Sequence, residues 1–485
     1  MTYGFRAALL LAAAVLAVHL VTNHRYGFHR DELQVIDDAH DLAWGYVVYP
    51  PLTPAVARLS MELFGPSLTG LRFFTALAMS IVIVLAALMA RDLGGSDAAQ
   101  ILAAAMAAIA PIAVIQGALF QYVAFDFLWW VVIAWFVIRL IRSGDPRWWI
   151  GIGAAIGLGM MTRYTMAFFV AGLVAGVLLT PLRRHLRSPW LWGGVAVSLL
   201  LFLPNLIWQI RNDFITFEFL RSISARDVEI GRTKGFLLEQ LFVPANPFTI
   251  PWWIAGLWFL FRSREPRALG WMFVVPLLLF VAMQGRSYYM GPAYPMLLAA
   301  GAVVWERWGK GRVIAVICVL LGAAMSAALM LPLAPVGSPW FRFTAGVQDN
   351  FAEEIGWPEL VQQVATIYHG LAPEEKERTA IYASNYGEAG AINLYGPRHG
   401  LPRAISGINS HWKRGYGSPP PETVIVLGSS KERAGRRFRS CEVAGIVSNR
   451  WGVENEESRD HPEIVVCRGP LEPWPMMWPR LRSFG

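Results

Sequence analysis

Apolar stretches long enough, or nearly long enough, to cross a bilayer recur up to about residue 332, and no other feature limits the fold so sharply. They run over about 5–22, 69–91, 98–116, 124–142, 148–162, 164–180, 190–208, 250–261, 270–284, 292–305 and 313–332. A hydrocarbon core of roughly 30 Å takes about 20 apolar residues as a helix. Inside it, only helices and closed barrels satisfy their own backbone. The pattern therefore predicts a polytopic α-helical membrane protein with about 11 transmembrane helices. The first stretch could instead be a cleaved signal peptide, but no small-x-small site followed by a polar mature start is evident. Composition agrees with a bilayer. Of the 485 residues, 55% are hydrophobic and 16% charged, against roughly 25% charged in a soluble chain. The 21 Trp and 14 Tyr suit membrane–water boundaries.

The net charge of +8 would suggest nucleic acid in a soluble protein. No run of basic and interleaved aromatic residues looks like a nucleic-acid patch, however. The basic residues instead fall in short loops. Arg91 follows the second stretch, Arg139, Arg142 and Arg147 the fourth, and Arg183, Arg184 and Arg187 the sixth. Arg262, Arg264 and Arg267 follow the eighth, and Arg307, Lys310 and Arg312 the tenth. By the positive-inside rule that face is cytoplasmic. The N-terminus is then inside, and the tail lies outside the cytoplasmic (inner) membrane.

Two outer loops are long. The loop over 23–68 opens with acids and continues with Trp44, Pro50, Pro51 and Pro54. It is too apolar for a solvated loop and predicts short helices along the membrane surface. The loop over 209–249 carries a charged stretch from Arg221 to Lys234. Residues 1–334 thus form a transmembrane domain and 335–485 a small soluble α/β domain. Its strand-like runs are Thr379–Ala383, Thr423–Leu427 and Glu463–Cys467, and its helical stretches Pro358–Tyr368 and Glu388–Tyr395. Cys318 lies in an apolar run and reads as a small core residue. Cys441 and Cys467 could pair if the tail is outside, but sequence supplies no Cα separation. His399, His411 and His461 are scattered and form no catalytic cluster.

Four outer-face groups carry candidate chemistry. The first is His29-Arg30-Asp31-Glu32. An acid there could act as a general base or a metal ligand, or simply cap a surface helix. The second is Asp126, at the start of the fourth span. An ionisable group at the rim of an apolar helix needs a cavity or a partner, unless it is only an N-cap among headgroups. The third is Arg163-Tyr164, a cation placed against the positive-inside trend. Guanidinium suits bidentate phosphate binding, and snorkelling to headgroups is the plainer alternative. The fourth is Arg286 with Tyr288 and Tyr289, which also reads as an aromatic belt. Together they suit a lipid-linked phosphate substrate whose tail lies among helices. An acid would deprotonate the acceptor, and the phosphate would leave. No Walker loop or dinucleotide-binding glycine fingerprint is present.

These residues resemble bacterial glycosyltransferase family 39, membrane enzymes of the GT-C type related to protein O-mannosyltransferases and to the aminoarabinose transferase of lipid A. The resemblance rests on Arg30-Asp31-Glu32-Leu33, Leu42-Ala43-Trp44-Gly45-Tyr46, Tyr49-Pro50-Pro51-Leu52, Asp126 and Thr162-Arg163-Tyr164-Thr165. It continues through Pro204-Asn205-Leu206-Ile207-Trp208-Gln209, Tyr288-Tyr289 and Pro292-Ala293-Tyr294-Pro295. In the tail, Asn385-Tyr386-Gly387-Glu388-Ala389-Gly390-Ala391 and Ser406-Gly407-Ile408-Asn409-Ser410 also fit.

The resemblance implies a polyprenyl-phosphate sugar donor and inversion at the anomeric carbon. It casts Asp31, Glu32 and Asp126 as the catalytic acids. Arg163, Tyr164, Arg286, Tyr288 and Tyr289 become donor-phosphate contacts, and Tyr49, Pro50 and Pro51 pocket residues. Two departures stand out. Relatives often have Lys at the position of Arg163, and often His at that of Tyr49; a tyrosine cannot replace imidazole as a base at neutral pH. No organic cofactor is implied. A divalent metal stays open, with Asp31, Asp126 and His29 as candidate ligands.

The expected function is inverting glycosyl transfer from a polyprenyl-phosphate sugar to a lipid, glycan or protein acceptor at the outer face of the inner membrane, with the tail shaping the acceptor entrance. A lipid or solute transporter is the main rival. It would call for charges near the bilayer midplane and an internal repeat, and neither is evident. A non-catalytic binding protein that has kept the fold is a third reading, against which both acids count.

Overall fold

A computed structural model describes residues 2–307 and 311–485 of the chain; Lys310, one of the basic loop residues, lies outside them. All eleven apolar stretches are helical. Before the first long loop stands α1 (Tyr3–Thr22), and inside that loop α2 (Arg30–His40) and α3 (Leu52–Phe64). Then come α4 (Leu68–Asp92), α5 (Asp97–Ala108), α6 (Pro111–Gly117), α7 (Tyr122–Ser143), α8 (Trp148–Met160) and α9 (Met166–Leu178). The series continues with α10 (Pro189–Arg211), α11 (Ile215–Glu229), α12 (Phe236–Glu239), α13 (Ile250–Arg262), α14 (Arg267–Ala282), α15 (Tyr294–Arg307) and α16 (Arg312–Met330).

The predicted count of about 11 spans is not matched by length and composition. Among the described residues, α1, α4, α7, α10 and α16 are long and apolar enough to cross a membrane, and counting each of two bent pairs as one span raises the total to seven. One bent pair is α5 with α6, at 65°. Pro111 stands at the break, where it cannot continue the hydrogen-bond ladder. Helices α8 and α14 are shorter and apolar.

Helix pairs in the bundle approach closely through glycine. A Cβ on Gly153 of α8 would lie 2.0 Å from the Gly194 carbonyl of α10. One on Gly301 of α15 would lie 1.9 Å from the Trp252 carbonyl of α13. Small residues at such crossings let helix backbones touch where lipid offers no hydrophobic drive for association.

Several of the basic loops meet at one end of the bundle. Asp92 at the end of α4 pairs with Arg91, with Arg139 at 3.6 Å and with Arg142 in the last turn of α7. Glu306 at the end of α15 accepts from the Ser96 amide at 3.0 Å. Arg184 and Glu265 join two further loops at 3.5 Å.

The C-terminal region adds α17 (Pro339–Val347), α18 (Asn350–Glu353), α19 (Trp357–Gly370), α20 (Pro373–Lys376) and α21 (Tyr386–Tyr395). With them stands a four-stranded sheet of order β1-β2-β4-β3. Strands β1 (Thr379–Ala383) and β2 (Thr423–Leu427) fall where the sequence places them, and β4 runs over Glu463–Pro470. Strand β3 (Phe438–Ile446) was missed. It is an edge strand, largely exposed apart from Phe438, so it lacks the apolar run that marks the others. Strands β1 and β2 are parallel, and β4 runs antiparallel to both β2 and β3. Cys441 of β3 and Cys467 of β4 face each other and are disulfide-bonded.

Helix α2 is buried continuously from Glu32 to Ala39, between the bundle and α21. A Cβ on Gly390 of α21 would meet the Leu33 carbonyl at 2.6 Å. One core runs through Leu33 and Ile36 of α2, Val82 of α4, Ile392 of α21 and Ile381 of β1.

A bulky residue at the α13–α15 crossing should therefore separate the two helices. Gly301→Leu is expected to lower the folded yield in detergent sharply. Gly346→Ala, whose Cβ would meet nothing within 4 Å, serves as the tolerated control in the same size-exclusion assay.

Candidate functional site

The buried acids of α2 are bearable in the interior only because each is paired. Glu32 takes a bidentate grip from Arg72 of α4, Nε to Oε1 at 2.7 Å and Nη2 to Oε2 at 2.8 Å. Both side chains are fully buried. Glu32 also accepts from the His29 amide at 2.8 Å, closing a capping box, and from the Phe120 amide at 2.7 Å. Arg72 in turn donates to the Asn23 and Gly27 carbonyls. Four bonds fill the acceptor capacity of Glu32, which corrects its place among the catalytic candidates: it ties α2 to α4 and to the α6–α7 loop. Glu354 completes the cluster at 3.4 Å from Arg72. Burial raises its carboxyl to about 8 against the pull of Arg72.

Asp31 has a different setting. The Tyr386 hydroxyl donates to Oδ1 at 2.8 Å, and the Gln121 amide donates to Oδ2. The side chain keeps 35% of its exposure and lines a cavity of about 550 Å³ with Arg30, Tyr49, Tyr122, Arg286 and Tyr288. Arg30 is itself paired with Glu456. Burial pushes the Asp31 carboxyl up, but His29, Arg30, the Tyr386 hydroxyl and Arg286 together hold the group below its ordinary value. The His29 imidazole is buried, which lowers its pKa, and its Nδ1 accepts from the Asp31 amide at 3.1 Å, as a neutral ring does. His29 is the N-cap of α2.

Asp126 faces away from this cavity. It is buried, and Oδ1 accepts from Trp130 Nε1 at 3.0 Å. The Thr165 hydroxyl donates to Oδ2 at 3.3 Å, and Arg163 Nη1 stands 3.8 Å from the same oxygen. The Arg163 guanidinium lies over the Tyr289 ring at 4.2 Å, the Tyr122 ring at 5.1 Å and the Tyr288 ring at 5.9 Å. Tyr122 and Tyr288 line the cavity. Arg163 thus sits one layer behind its wall, anchored from the rear by Asp126.

The remaining candidates divide. Arg286 reaches the wall and gives two N–H groups to Asp227, at 2.7 and 2.8 Å. Three of its five donors are left for the cavity. Tyr164 does not join the group, because its hydroxyl donates to Asn205 at 2.9 Å and accepts from Gln209 at 2.6 Å, fastening the α8–α9 turn to α10. Tyr49 lines the cavity but turns its hydroxyl to Asp38 at 2.7 Å. Pro50 is buried, and Pro51 stands at the N-cap of α3. Among the described residues, no three His, Cys, Asp or Glu side chains come together as a metal set.

Sequence reasoning missed Gln121 and Asp227 as partners, and Arg226 and Arg232 as lining residues. It quoted Tyr386 for resemblance without giving it a role. It also overlooked the far end of α2. There Arg414 pairs with Asp37 and, at 2.6 Å, with Asp38, while Arg403 reaches Asp37 at 3.0 Å and Asp41 at 2.7 Å. The dense acids of α2, Asp31 to Asp41, were the available signal.

With this arrangement in view, the similarities to known proteins become informative. A family model described as dolichyl-phosphate-mannose-protein mannosyltransferase matches residues 48–208. An undecaprenyl phosphate-α-4-amino-4-deoxy-L-arabinose arabinosyl transferase of Pseudomonas fluorescens is 28% identical over 277 residues, covering 52% of this chain and 49% of its own. The lipid A galacturonosyltransferase RgtD of Rhizobium johnstonii is 24% identical over 305 residues, 59% of this chain and 62% of its own. The chain spans about half the length of the arabinosyl transferases it matches. The crystal structure of ArnT from Cupriavidus metallidurans bound to undecaprenyl phosphate superposes with a TM-score of 0.59 at 17% identity, over 94% of this chain and 97% of that one.

This is the GT-C fold. The likeness to a protein mannosyltransferase family model and to the aminoarabinose transferases is the one its motifs suggested.

Two expectations about stability follow from the buried pairs. Removing one partner of a buried ion pair costs about 3–5 kcal/mol. Glu32→Ala should therefore lower the thermal midpoint in detergent markedly, while Asp31→Asn, at a partly exposed site, should leave it within a few degrees. Glu354 holds its proton more tightly when folded, so its contribution is complete below its ordinary value of 4.5 and is lost as pH rises toward 8. Glu354→Gln should flatten the fall in melting temperature between pH 4.5 and 8, and an unchanged slope would refute the assignment.

Proposed function

We propose that the chain is an inverting glycosyltransferase that moves a sugar from a polyprenyl-phosphate donor to an acceptor at the outer face of the cytoplasmic membrane. One observation carries this reading. Asp31, a partly exposed carboxylate held by Tyr386 and Gln121, opens into a cavity at the end of the bundle opposite the basic loops, with arginines on and behind its wall and Glu239, Asp349, Glu353 and Glu456 elsewhere on its lining. The names of the similar proteins, arabinosyl and galacturonosyl transferases, support the same class of reaction.

In this reading the donor's tail lies among the helices and its phosphate meets Arg286, with Arg163 behind Tyr122 and Tyr288. The acceptor oxygen or nitrogen attacks the anomeric carbon from the face opposite the phosphate. The bond from that carbon to the phosphate oxygen breaks, and the phosphate leaves with the electron pair. The acceptor proton passes to Asp31. A carboxylate held below its ordinary pKa is a weak base, so it is ionised and ready at neutral pH. Such a base suffices where the sugar carries most of the positive charge before the proton moves, as in inverting reactions with an oxocarbenium-like transition state. The Tyr386 and Gln121 donors fix the carboxylate in place. Arg163 is positioned to answer the second negative charge that appears on the phosphate as it leaves.

The division at about residue 334 and the outer placement of residues 335–485 belong to the same proposal. The Cys441–Cys467 disulfide supports it, since such bonds persist in oxidising compartments. Helices α10 and α16 expose Leu199, Leu200 and Val313, as suits lipid contact.

Comparing the lipids and glycans of cells with and without the protein tests the reading directly, and a species that loses one sugar identifies the acceptor. In purified form, Asp31→Asn is expected to cut transfer about 10²–10⁴-fold, the range for a general base, and full activity would sink the base assignment. Arg163→Ala should raise the donor KM about tenfold or more, with Arg163→Lys nearer to native. A donor KM left unchanged in folded Arg163→Ala counts against the phosphate role.

A further inference from the structure

A second cavity, of about 440 Å³, opens in the C-terminal α/β region. Its floor is the carboxyl ends of the parallel pair β1 and β2, where Ser384-Asn385 and Gly428-Ser429 leave the sheet. Ligands of open α/β sheets bind in such crevices, because diverging loops leave space there and backbone groups point into it. Gly428 has φ +65°, and a Cβ there would strike the Glu388 carboxylate at 2.7 Å.

The lining holds buried carboxyl groups. Glu457 is 3% exposed, and among the described residues neither carboxylate oxygen has a hydrogen-bond partner. Glu388 is fully buried, and its Oε1 is likewise without a partner. Native interiors leave few such atoms, and each asks for an explanation. Both carboxyls lie far above their ordinary range, first because of burial and, for Glu457, then because of neighbouring acids. A protonated carboxyl both donates and accepts, as sugar hydroxyls require. Arg433 and Arg437 stand on the same lining. Among the described residues, neither guanidinium forms an ion pair, whereas Arg480 is held by Glu472 and Arg482 by Glu218. Trp474 supplies an aromatic wall.

We propose that this crevice is a second ligand site, built for a hexose that carries a phosphate or carboxylate group. The hydroxyls meet Glu388 and Glu457, and the anion meets Arg433 and Arg437. Glu456 lines both this crevice and the Asp31 cavity, so a ligand held here abuts that cavity. Binding is independent of any transfer reaction.

The test is calorimetry on the full-length protein in detergent, with glucose 1-phosphate as the free probe and a glucuronic-acid glycolipid as the lipid-borne one. Binding of the first points to a free ligand, and binding of the second alone to a lipid headgroup; either supports the site. Glucose and inorganic phosphate should each bind at least tenfold more weakly than a probe that binds. Arg433→Ala/Arg437→Ala and Glu457→Leu should each weaken that probe at least tenfold, and Glu457→Gln, which keeps a donor and an acceptor, less than threefold. Arg286→Ala, on the other cavity, should leave it unchanged. The proposal is overturned if neither probe binds, or if the Arg433/Arg437 and Glu457→Leu variants bind as the native protein does while their melting temperatures match it.

Discussion

The Glu32–Arg72 pair is the joint on which the rest of the structure depends. A charge inside an apolar bundle is tolerable only with a partner and with its remaining hydrogen-bonding capacity filled. Arg72 satisfies that condition by bonding four segments at once: the exit of α1 at Asn23, the Gly27 turn, α2 through Glu32, and the C-terminal region through Glu354. Glu32 extends the network to the amide of Phe120, just before α7. Because α1, α2, α4 and the start of α7 share one network, the position of Asp31 relative to the cavity is fixed by buried geometry rather than by a loop.

The same constraint explains why α2 is enclosed from Glu32 to Ala39 although it carries acids at 31, 32, 37 and 38. The cations that neutralise it come from far along the chain: Arg72, Arg403 and Arg414. Pairing across hundreds of residues leaves no local periodic signal, so burial of this helix could not be read from its own residues. The apolar helices, in contrast, were legible as helices because a bilayer demands long uninterrupted runs, and β1 and β2 because their runs are short and apolar. Spans were harder to count than helices. The α5–α6 bend falls at Pro111, inside one apolar run, and α8 and α13 are shorter than a full span.

The candidate site was legible to a similar degree. Asp31, Arg286, Tyr288 and Tyr49 line the cavity; outer-face placement of charges pointed to the first three, and the family resemblance to Tyr49. Arg163 was found for its charge, but its setting over three tyrosine rings was not foreseen. Tyr164 was chosen for adjacency to Arg163, and adjacency in a turn does not imply a shared direction. Gln121 and Tyr386 are neutral donors with no charge signature, so only the fold reveals that they hold the carboxylate.

The contrast between Asp31 and Glu32 follows from helical geometry. Successive side chains on an α-helix point about 100° apart, at 3.6 residues per turn, so neighbours in sequence cannot serve the same surface. With Glu32 turned into the bundle toward Arg72, Asp31 must face the side where Tyr386, Gln121 and the cavity lie. The capping box reinforces this. His29 Nδ1 receives the Asp31 amide while Glu32 receives that of His29, which sets the first turn of α2 and with it both side-chain directions. One acid is thus committed to holding the protein together, and its neighbour is held, ionised and accessible, at the cavity. In the proposed reaction, chemistry and stability thus fall to adjacent residues without competing for the same carboxylate.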